Sequence, residues 1–158
     1  MRFLVEEPLT KLARKLRLMG FDTEICSRNE IGKSVENRDV FLTKSKKAME
    51  IAIKYGIRSY LIKSENWRSQ LKSVIQRFQI GLDDVHFLSR CSKCNGLLEE
   101  ASLKDVAMVP DYVVLTAERL YKCTRCGQLY WNGSHVQHMK WMNEIAGKSG
   151  GNAEENKL

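Results

Sequence analysis

Four cysteines in two pairs are the residues whose chemistry is plainest in this sequence. The pairs are Cys91-Ser92-Lys93-Cys94 and Cys123-Thr124-Arg125-Cys126, and residues 95–122 lie between them. A CxxC turn delivers two sulfurs to one ion, and zinc takes four such ligands in a tetrahedron. Because an all-cysteine set leaves no open position for water, the spacing predicts a closed, structural zinc site.

Other uses of these cysteines stay open at this point. Two disulfides would suit a secreted protein, although no secretion signal is visible. A redox motif needs only one CxxC pair and would not explain the second. An iron–sulfur centre also takes four cysteines, but ribbon-like flanking segments favour zinc. Cys26, the fifth cysteine, is expected to be a small half-buried residue rather than a ligand.

The charge of the chain is uneven. The formal net charge is +7, and residues 1–90 hold 18 Lys and Arg against 11 Asp and Glu. Residues 91–158 hold 8 of each kind. A basic lobe attracts polyanions by releasing their counterions, but it can also be a solvated surface that only keeps a protein soluble. The outer face of the first predicted helix carries Lys11, Arg14, Lys15 and Arg17.

Strand and helix signals alternate through residues 1–85. Short apolar runs predict strands at residues 2–5, 21–26, 40–43 and 59–62. Apolar residues at helical spacing predict helices between and after them, with Ser45 and Ser64 as N-caps of the second and third. Alternation with short connections favours an α/β fold in which helices sandwich a parallel sheet.

The pattern changes after residue 85. Residues 86–146 are expected to form a zinc ribbon followed by an amphipathic helix that starts near Ser134. The tail, residues 147–158, is rich in glycine and charge and is expected to be disordered. No apolar run is long enough to span a membrane. The first residues turn acidic at once, so we expect an intracellular, cytoplasmic protein.

Several segments of the chain resemble one known family, the C-terminal RNase domain of Mut-seven-type exonucleases, a PIN-like domain with an appended zinc ribbon. The resemblance covers residues 2–142. Its most specific block runs from Tyr121 to His135, through the second cysteine pair and Tyr-Trp-Asn-Gly-Ser-His. The other matching segments are Phe3-Leu4-Val5-Glu6, Leu12-Ala13-Arg14, Gly20-Phe21-Asp22-Thr23, Phe41-Leu42-Thr43-Lys44, Ile62-Lys63-Ser64-Glu65, Ser89 to Leu97 and Val109-Pro110.

The resemblance implies a PIN-like nuclease fold with carboxylates at the carboxyl ends of parallel strands, where they bind Mg²⁺ or Mn²⁺ for phosphodiester hydrolysis. This chain departs from that pattern. The first aspartate of the family is Glu6 here, Ser45 stands where a second is expected, and Glu65 matches a third. The acidic residue between the first two has no clear equivalent, and Glu30 and Glu36 are the nearest candidates.

Positive residues stand close to these positions. Lys44, Lys46 and Lys47 surround Ser45 and, with Arg14 and Lys15 on the first helix, are the predicted RNA contacts. His135 is a further candidate, although it can equally hydrogen-bond the ribbon to the first lobe. Glu6 and Glu65 can likewise be polar residues at strand ends with no metal to hold.

Three functions therefore compete. The favoured one is an RNA-binding PIN-like protein with a zinc ribbon, working with RNA or in a ribonucleoprotein assembly, whose carboxylate site is partly lost. The alternative is an active Mg²⁺- or Mn²⁺-dependent ribonuclease, with Glu6 and Glu65 as catalytic residues. A protein–protein adaptor is the third, and no specific motif supports it.

Overall fold

A computed structural model describes residues 1–116 and 119–131. Its strands are β1 (Phe3–Glu6), β2 (Thr23–Cys26), β3 (Val40–Thr43), β4 (Arg58–Leu61), β5 (Leu98–Glu100), β6 (Leu120–Cys123) and β7 (Leu129–Trp131). Its helices are α1 (Thr10–Leu18), α2 (Ile31–Ser34), α3 (Lys46–Lys54), α4 (Trp67–Arg77), α5 (Leu103–Val106) and α6 (Asp111–Thr116). The C-terminal helix predicted from Ser134, the tail and His135 lie outside the described residues.

The first four strands form one parallel sheet in the order β2-β1-β3-β4. The chain passes from β1 to β2 on one side and then crosses to β3 on the other side of β1. In open α/β sheets, such a reversal of direction opens a crevice outside the carboxyl ends of the two central strands. Here those ends are Glu6 of β1 and Thr43 of β3.

Helices cover both faces of this sheet, as the α/β prediction requires. Both central strands are buried along their whole length. Phe3 and Val5 pack with α1 and α4 on one face, whereas Leu4 packs with α2 and α3 on the other. This alternation follows from the two-residue period of a strand. The predicted parallel sheet sandwiched by helices is confirmed.

The helix caps follow the prediction in one case and differ in another. Ser45 accepts a hydrogen bond from the Ala48 amide at 3.2 Å and caps α3, as predicted. The predicted cap Ser64 does not cap α4; Asn66 does, accepting from the Ser69 amide at 2.9 Å. The longest described helix, α4, has 11 residues, and none in this part of the chain is long and apolar enough to cross a membrane.

The cysteine-rich region is a separate antiparallel sheet in the order β5-β6-β7. Leu98 pairs with Cys123, and Lys122 pairs with Leu129 across the hairpin of the second cysteine pair. Two short helices, α5 and α6, lie in the sequence between β5 and β6, where the sequence patterns did not predict them. This antiparallel sheet carries the two cysteine pairs at its turns.

Candidate functional site

The four cysteines of the two pairs lie together, with their sulfurs all within 4.8 Å of one another. The Cys91 and Cys126 sulfurs are 3.6 Å apart, and those of Cys94 and Cys123 are 3.4 Å apart. A tetrahedral ion with Zn–S bonds of about 2.3 Å separates its sulfurs by about 3.8 Å. A disulfide would instead bring two sulfurs to about 2.05 Å. The cluster is therefore compatible with a zinc site.

Backbone amides and neighbouring sulfurs set the charge of this cluster. Burial raises the pKa of Cys123, but the backbone N–H groups of Cys126 and Arg125 outweigh it and lower that pKa to about 6. Burial and the sulfurs around it raise the pKa of Cys94 to about 12. Because thiolates oppose one another's ionisation, four of them in one place need a cation to balance their charge.

Two turns after the cysteines use different residues for the same bend. Gly127 has φ +79°, a left-handed conformation that glycine adopts without steric cost. In the first pair the left-handed residue is Asn95, with φ 70°. Gly96 serves a different purpose, because a Cβ there would lie 2.8 Å from the Cys123 sulfur. This glycine is needed for close approach of the two turns.

Asn95 also joins the first cysteine turn to the edge strand of the parallel sheet. Its side-chain oxygen accepts from the Thr23 amide of β2 at 3.0 Å. Its side-chain nitrogen donates to Asp22 at 2.7 Å and to Glu24 at 3.1 Å. Asp22 is held in turn by Arg38 at 2.7 Å. The Thr23 amide of the edge strand thus donates its hydrogen bond to a residue of the metal-binding region.

Arg17 provides a second connection between the two sheets. It is only 4% exposed, so its predicted place on the outer face of α1 is wrong. Its guanidinium donates to the Thr23 carbonyl at 2.8 Å and to the carbonyls of Ser92 and Lys93 at 3.1 and 3.2 Å. Burial lowers the pKa of Arg17, while Glu24 and the sulfurs of Cys94 and Cys91 oppose that shift.

Sequence reasoning missed both of these residues. Arg17 directly follows Leu16 and lies one helical turn after Ala13, so its spacing places it beside the apolar stripe. Asn95 follows the first cysteine pair at a point where the chain must turn, and asparagine tolerates the left-handed conformation. These two signals were present in the sequence, but the partners of each side chain were not.

Tyr130 packs against the cysteine cluster. Its hydroxyl lies 3.0 Å from the Cys91 sulfur, and it accepts from the Ser92 amide at 3.1 Å. Burial and the neighbouring Cys91 raise its pKa to about 12. Because the ring is 5% exposed, Tyr130 packs in the protein rather than offering a surface for a base.

Glu6 lies at the crevice between β1 and β3, as its position at a strand end predicts. It is 4% exposed, and it accepts from the Thr43 hydroxyl at 3.4 Å. The Arg28 guanidinium is 3.8 Å from a carboxylate oxygen of Glu6. The same guanidinium donates to the Ser45 hydroxyl at 2.9 Å. A cation of the chain itself thus joins the two positions where the family pattern expects carboxylates.

Glu65 has a different environment. Its side chain is 86% exposed and pairs with Lys44 at 2.7 Å. Glu30 caps its own loop by accepting from the Ser27 amide at 3.2 Å, and Glu36 is exposed. Among the described residues, the only group of three or more Cys, His, Asp or Glu placed to hold a metal ion is the four-cysteine cluster.

The predicted RNA-contacting cations lie at the surface. Lys46 and Lys47 are exposed at the start of α3, and Arg14 is exposed on α1. Lys15 is half-buried, with its ammonium 4.6 Å from the centre of the Trp67 ring. Lys44 is engaged with Glu65, as described above.

The four-cysteine ribbon is joined to the edge strand of the parallel sheet, and its sulfurs are placed to hold a metal ion. The family model described as the Mut7-C RNAse domain matches residues 1–143. The chain belongs to this family. Searches of curated proteins and of solved structures each gave no match.

Proposed function

We propose that this protein binds RNA without cleaving it. The observation that carries this proposal is that each retained candidate carboxylate is already paired with a cation of the chain. Glu6 pairs with Arg28 in the crevice, and Glu65 pairs with Lys44 at the surface. The membership of the chain in an RNase-domain family supports RNA as the partner, alone or in a ribonucleoprotein assembly.

The chemistry of Mg²⁺ and Mn²⁺ supports the loss of cleavage. These hard cations need several oxygen ligands that converge on one point. In the crevice, Arg28 supplies the positive charge next to Glu6 that a divalent ion would supply in an active nuclease. Ser45 contributes a hydroxyl in place of a carboxylate and uses it to cap α3 and to accept from Arg28. The basic residues that remain attract phosphates without activating water.

Zinc is the ion we propose for the four cysteines, in a structural role. Four sulfur ligands suit zinc, and a closed set leaves no position for a reacting water. Arg17 and Asn95 hold this cluster against the parallel sheet, so the ion stabilises the joint between the two sheets. Cys91, Cys94, Cys123 and Cys126 are its proposed ligands.

The first experiment compares binding and cleavage of a labelled single-stranded RNA by the purified protein, with Mn²⁺ and with a chelator. We expect affinity that falls steeply with salt, and no cleavage. Charge reversal at Lys46 and Lys47 should weaken binding because phosphate contacts are lost. Each lost contact should also lower the log–log salt slope by about 0.7. Metal-dependent cleavage that disappears in Glu6→Ala would overturn the proposal.

A second variant tests whether Arg28 and Ser45 account for the proposed loss of the Mg²⁺ or Mn²⁺ site. The double change Arg28→Ala and Ser45→Asp removes the internal cation and restores a carboxylate, so we expect Mn²⁺ to stabilise this variant against heat. Arg2→Ala is the matched control, because Arg2 is 48% exposed against 49% for Arg28 and also pairs with a carboxylate, Asp39. Equal Mn²⁺ stabilisation of the unaltered protein would show that Arg28 does not replace the ion.

The alternative is an active Mg²⁺- or Mn²⁺-dependent ribonuclease with Glu6 and Glu65 as its catalytic carboxylates. It is favoured by the position of Glu6, which lies buried at the carboxyl end of a central strand beside Thr43. For this function Arg28 would have to leave Glu6 and Lys44 would have to release Glu65 when RNA and metal bind. The cleavage assay above decides between the two functions.

A further inference from the structure

One face of the molecule carries many cations and no carboxylate in the helices that form it. Helix α1 reads TKLARKLRL and α4 reads WRSQLKSVIQR, in a chain with 19 Asp and Glu. By contrast, α3 on the opposite face of the sheet contains Glu50. The cations of the α1–α4 face that are at least partly exposed are Lys11, Arg14, Lys15, Arg68, Lys72 and Arg77.

The two helices pack side by side, and their cations meet around one indole ring. Lys15 lies 4.6 Å from the centre of the Trp67 ring, and Arg68 lies 5.2 Å from it. Burial lowers the pKa of Lys15, and the charges of Lys11 and Arg68 lower it further. Like charges held together cost free energy, which a chain of phosphates laid across them would recover.

The α1–α4 face continues into a cleft at the cysteine ribbon. The cleft has a volume of about 320 Å³, and Arg14 of α1 is part of its lining. Lys93 of the first cysteine turn also lines it, with Gln128 and Trp131 from the hairpin of the second. Among the described residues that line it, the cleft thus offers two cations, an amide and an indole, and no carboxylate. This combination suits a nucleotide, because phosphate, base edge and base face each find a complementary group.

We propose that single-stranded RNA lies along the α1–α4 face with its phosphates on the cations, and places one base in the cleft against Trp131. The inference rests on the proposed RNA-binding function and deepens it by naming the surface and the strandedness. A single strand is favoured because its bases are free to stack on a side chain, whereas those of a duplex are stacked on one another. In the sequence, Glu7 and Glu65 are the carboxylates that shortly precede the two helices, and Glu65 is paired with Lys44.

The experiment measures binding of a fluorescein-labelled oligouridine of about 12 nucleotides by anisotropy. Arg14→Glu and Lys93→Glu reverse exposed charges on the two sides of the cleft. We expect each to weaken binding by about tenfold or more and to reduce the log–log salt slope by at least about 0.7. Lys54→Glu is the matched control, because Lys54 is exposed on the opposite face of the sheet, at the other end of α3 from Lys46 and Lys47. It should change binding by less than about twofold.

Stacking is tested at Trp131. Trp131→Ala should weaken oligouridine binding by about 5- to 150-fold, the range of one lost base–aromatic contact. Trp131→Phe keeps an aromatic ring and should retain most of the affinity, which separates stacking from damage to the ribbon. Metal content and circular dichroism of both variants confirm that they are folded.

The outcomes separate this proposal from the function on which it rests. If the unaltered protein binds no RNA, the proposed function fails and this surface fails with it. If binding is intact in Arg14→Glu and Lys93→Glu but lost on charge reversal at Lys46 and Lys47, RNA binding stands and this surface is wrong. An RNA duplex bound more tightly than oligouridine, or an acidic peptide competing equally with it, would also overturn the proposal.

Discussion

At the scale of single residues, the most informative side chain is one that the sequence patterns misplaced. Arg17 belongs to a basic helix, yet its guanidinium is buried and donates to three backbone carbonyls, one in β2 and two in the first cysteine turn. Buried charges are tolerated only when their hydrogen bonds are made. The residue therefore contributes to structure, while its exposed neighbour Arg14 remains available for a ligand.

Arg17→Met tests this assignment. The variant keeps an apolar stem of similar length but leaves the carbonyls of Thr23, Ser92 and Lys93 without their donor. We expect the free energy of unfolding to fall by about 2–4 kcal/mol in a denaturant titration. Arg14→Met, at an exposed position on the same helix, should change it by no more than about 0.5 kcal/mol. Equal stability of the two variants would contradict the structural role.

At the scale of elements, the ribbon sheet is joined to its inserted helix by a charged pair. Asp105 of α5 accepts from the Lys122 ammonium of β6 at 2.9 Å, and it also accepts from the Ser102 amide and hydroxyl. These donors, Lys122 first, lower the pKa of Asp105 to about 2. The carboxylate thus caps the start of the helix and fixes it to the strand.

The lowered pKa predicts a pH dependence of stability. A carboxylate with a pKa near 2 when folded and about 3.9 when unfolded stabilises the protein fully above the unfolded value. That contribution is lost as the pH falls from about 4 to 2. Asp105→Asn should therefore show a smaller loss of stability across this window than the unaltered protein, measured by thermal unfolding. Asp83→Asn, at an exposed surface position, is the control and should behave like the unaltered protein.

At the scale of the whole molecule, hydrogen bonds join the parallel sheet to the metal-binding region. The division into a first unit at residues 1–85 and a ribbon from residue 86 stays a prediction. The hydrogen bonds of Asn95 cross that boundary to β2, and those of Arg17 cross it from α1 to the first cysteine turn. Loss of the proposed zinc should consequently destabilise the edge of the parallel sheet as well as the ribbon.

Zinc removal tests this link. A chelator, or Cys91→Ser, should unfold the ribbon, because a structural zinc site contributes on the order of 10 kcal/mol. The Thr23 amide should then lose its protection from hydrogen exchange, since its acceptor is Asn95. The Leu42 amide in the buried central strand β3 should stay protected and serves as the internal reference. A folded, metal-free Cys91→Ser protein with a protected Thr23 amide would contradict both the zinc site and the link.

The sequence by itself determined the features whose physics is local. The CxxC spacing brings two sulfurs together within one turn, and apolar runs and periodicity predicted the four strands and the longer helices of residues 1–85 from neighbouring residues alone. Ser45 was identified as a cap for the same reason, because its partner, the Ala48 amide, lies one turn away. The family resemblance also located Glu6 at the carboxyl end of a strand.

Only the tertiary structure decided which side chains pair with one another. Arg28 reaches Glu6, and Lys44 reaches Glu65, across connections whose course no local pattern specifies. The same holds for Asn95, whose partners lie on β2 or directly before it, more than 70 residues away in the chain. Charge pairing depends on distance in space, whereas periodicity records only distance along the chain. The fold class could therefore be predicted from the sequence, whereas the pairing of the candidate carboxylates with cations of the chain could not.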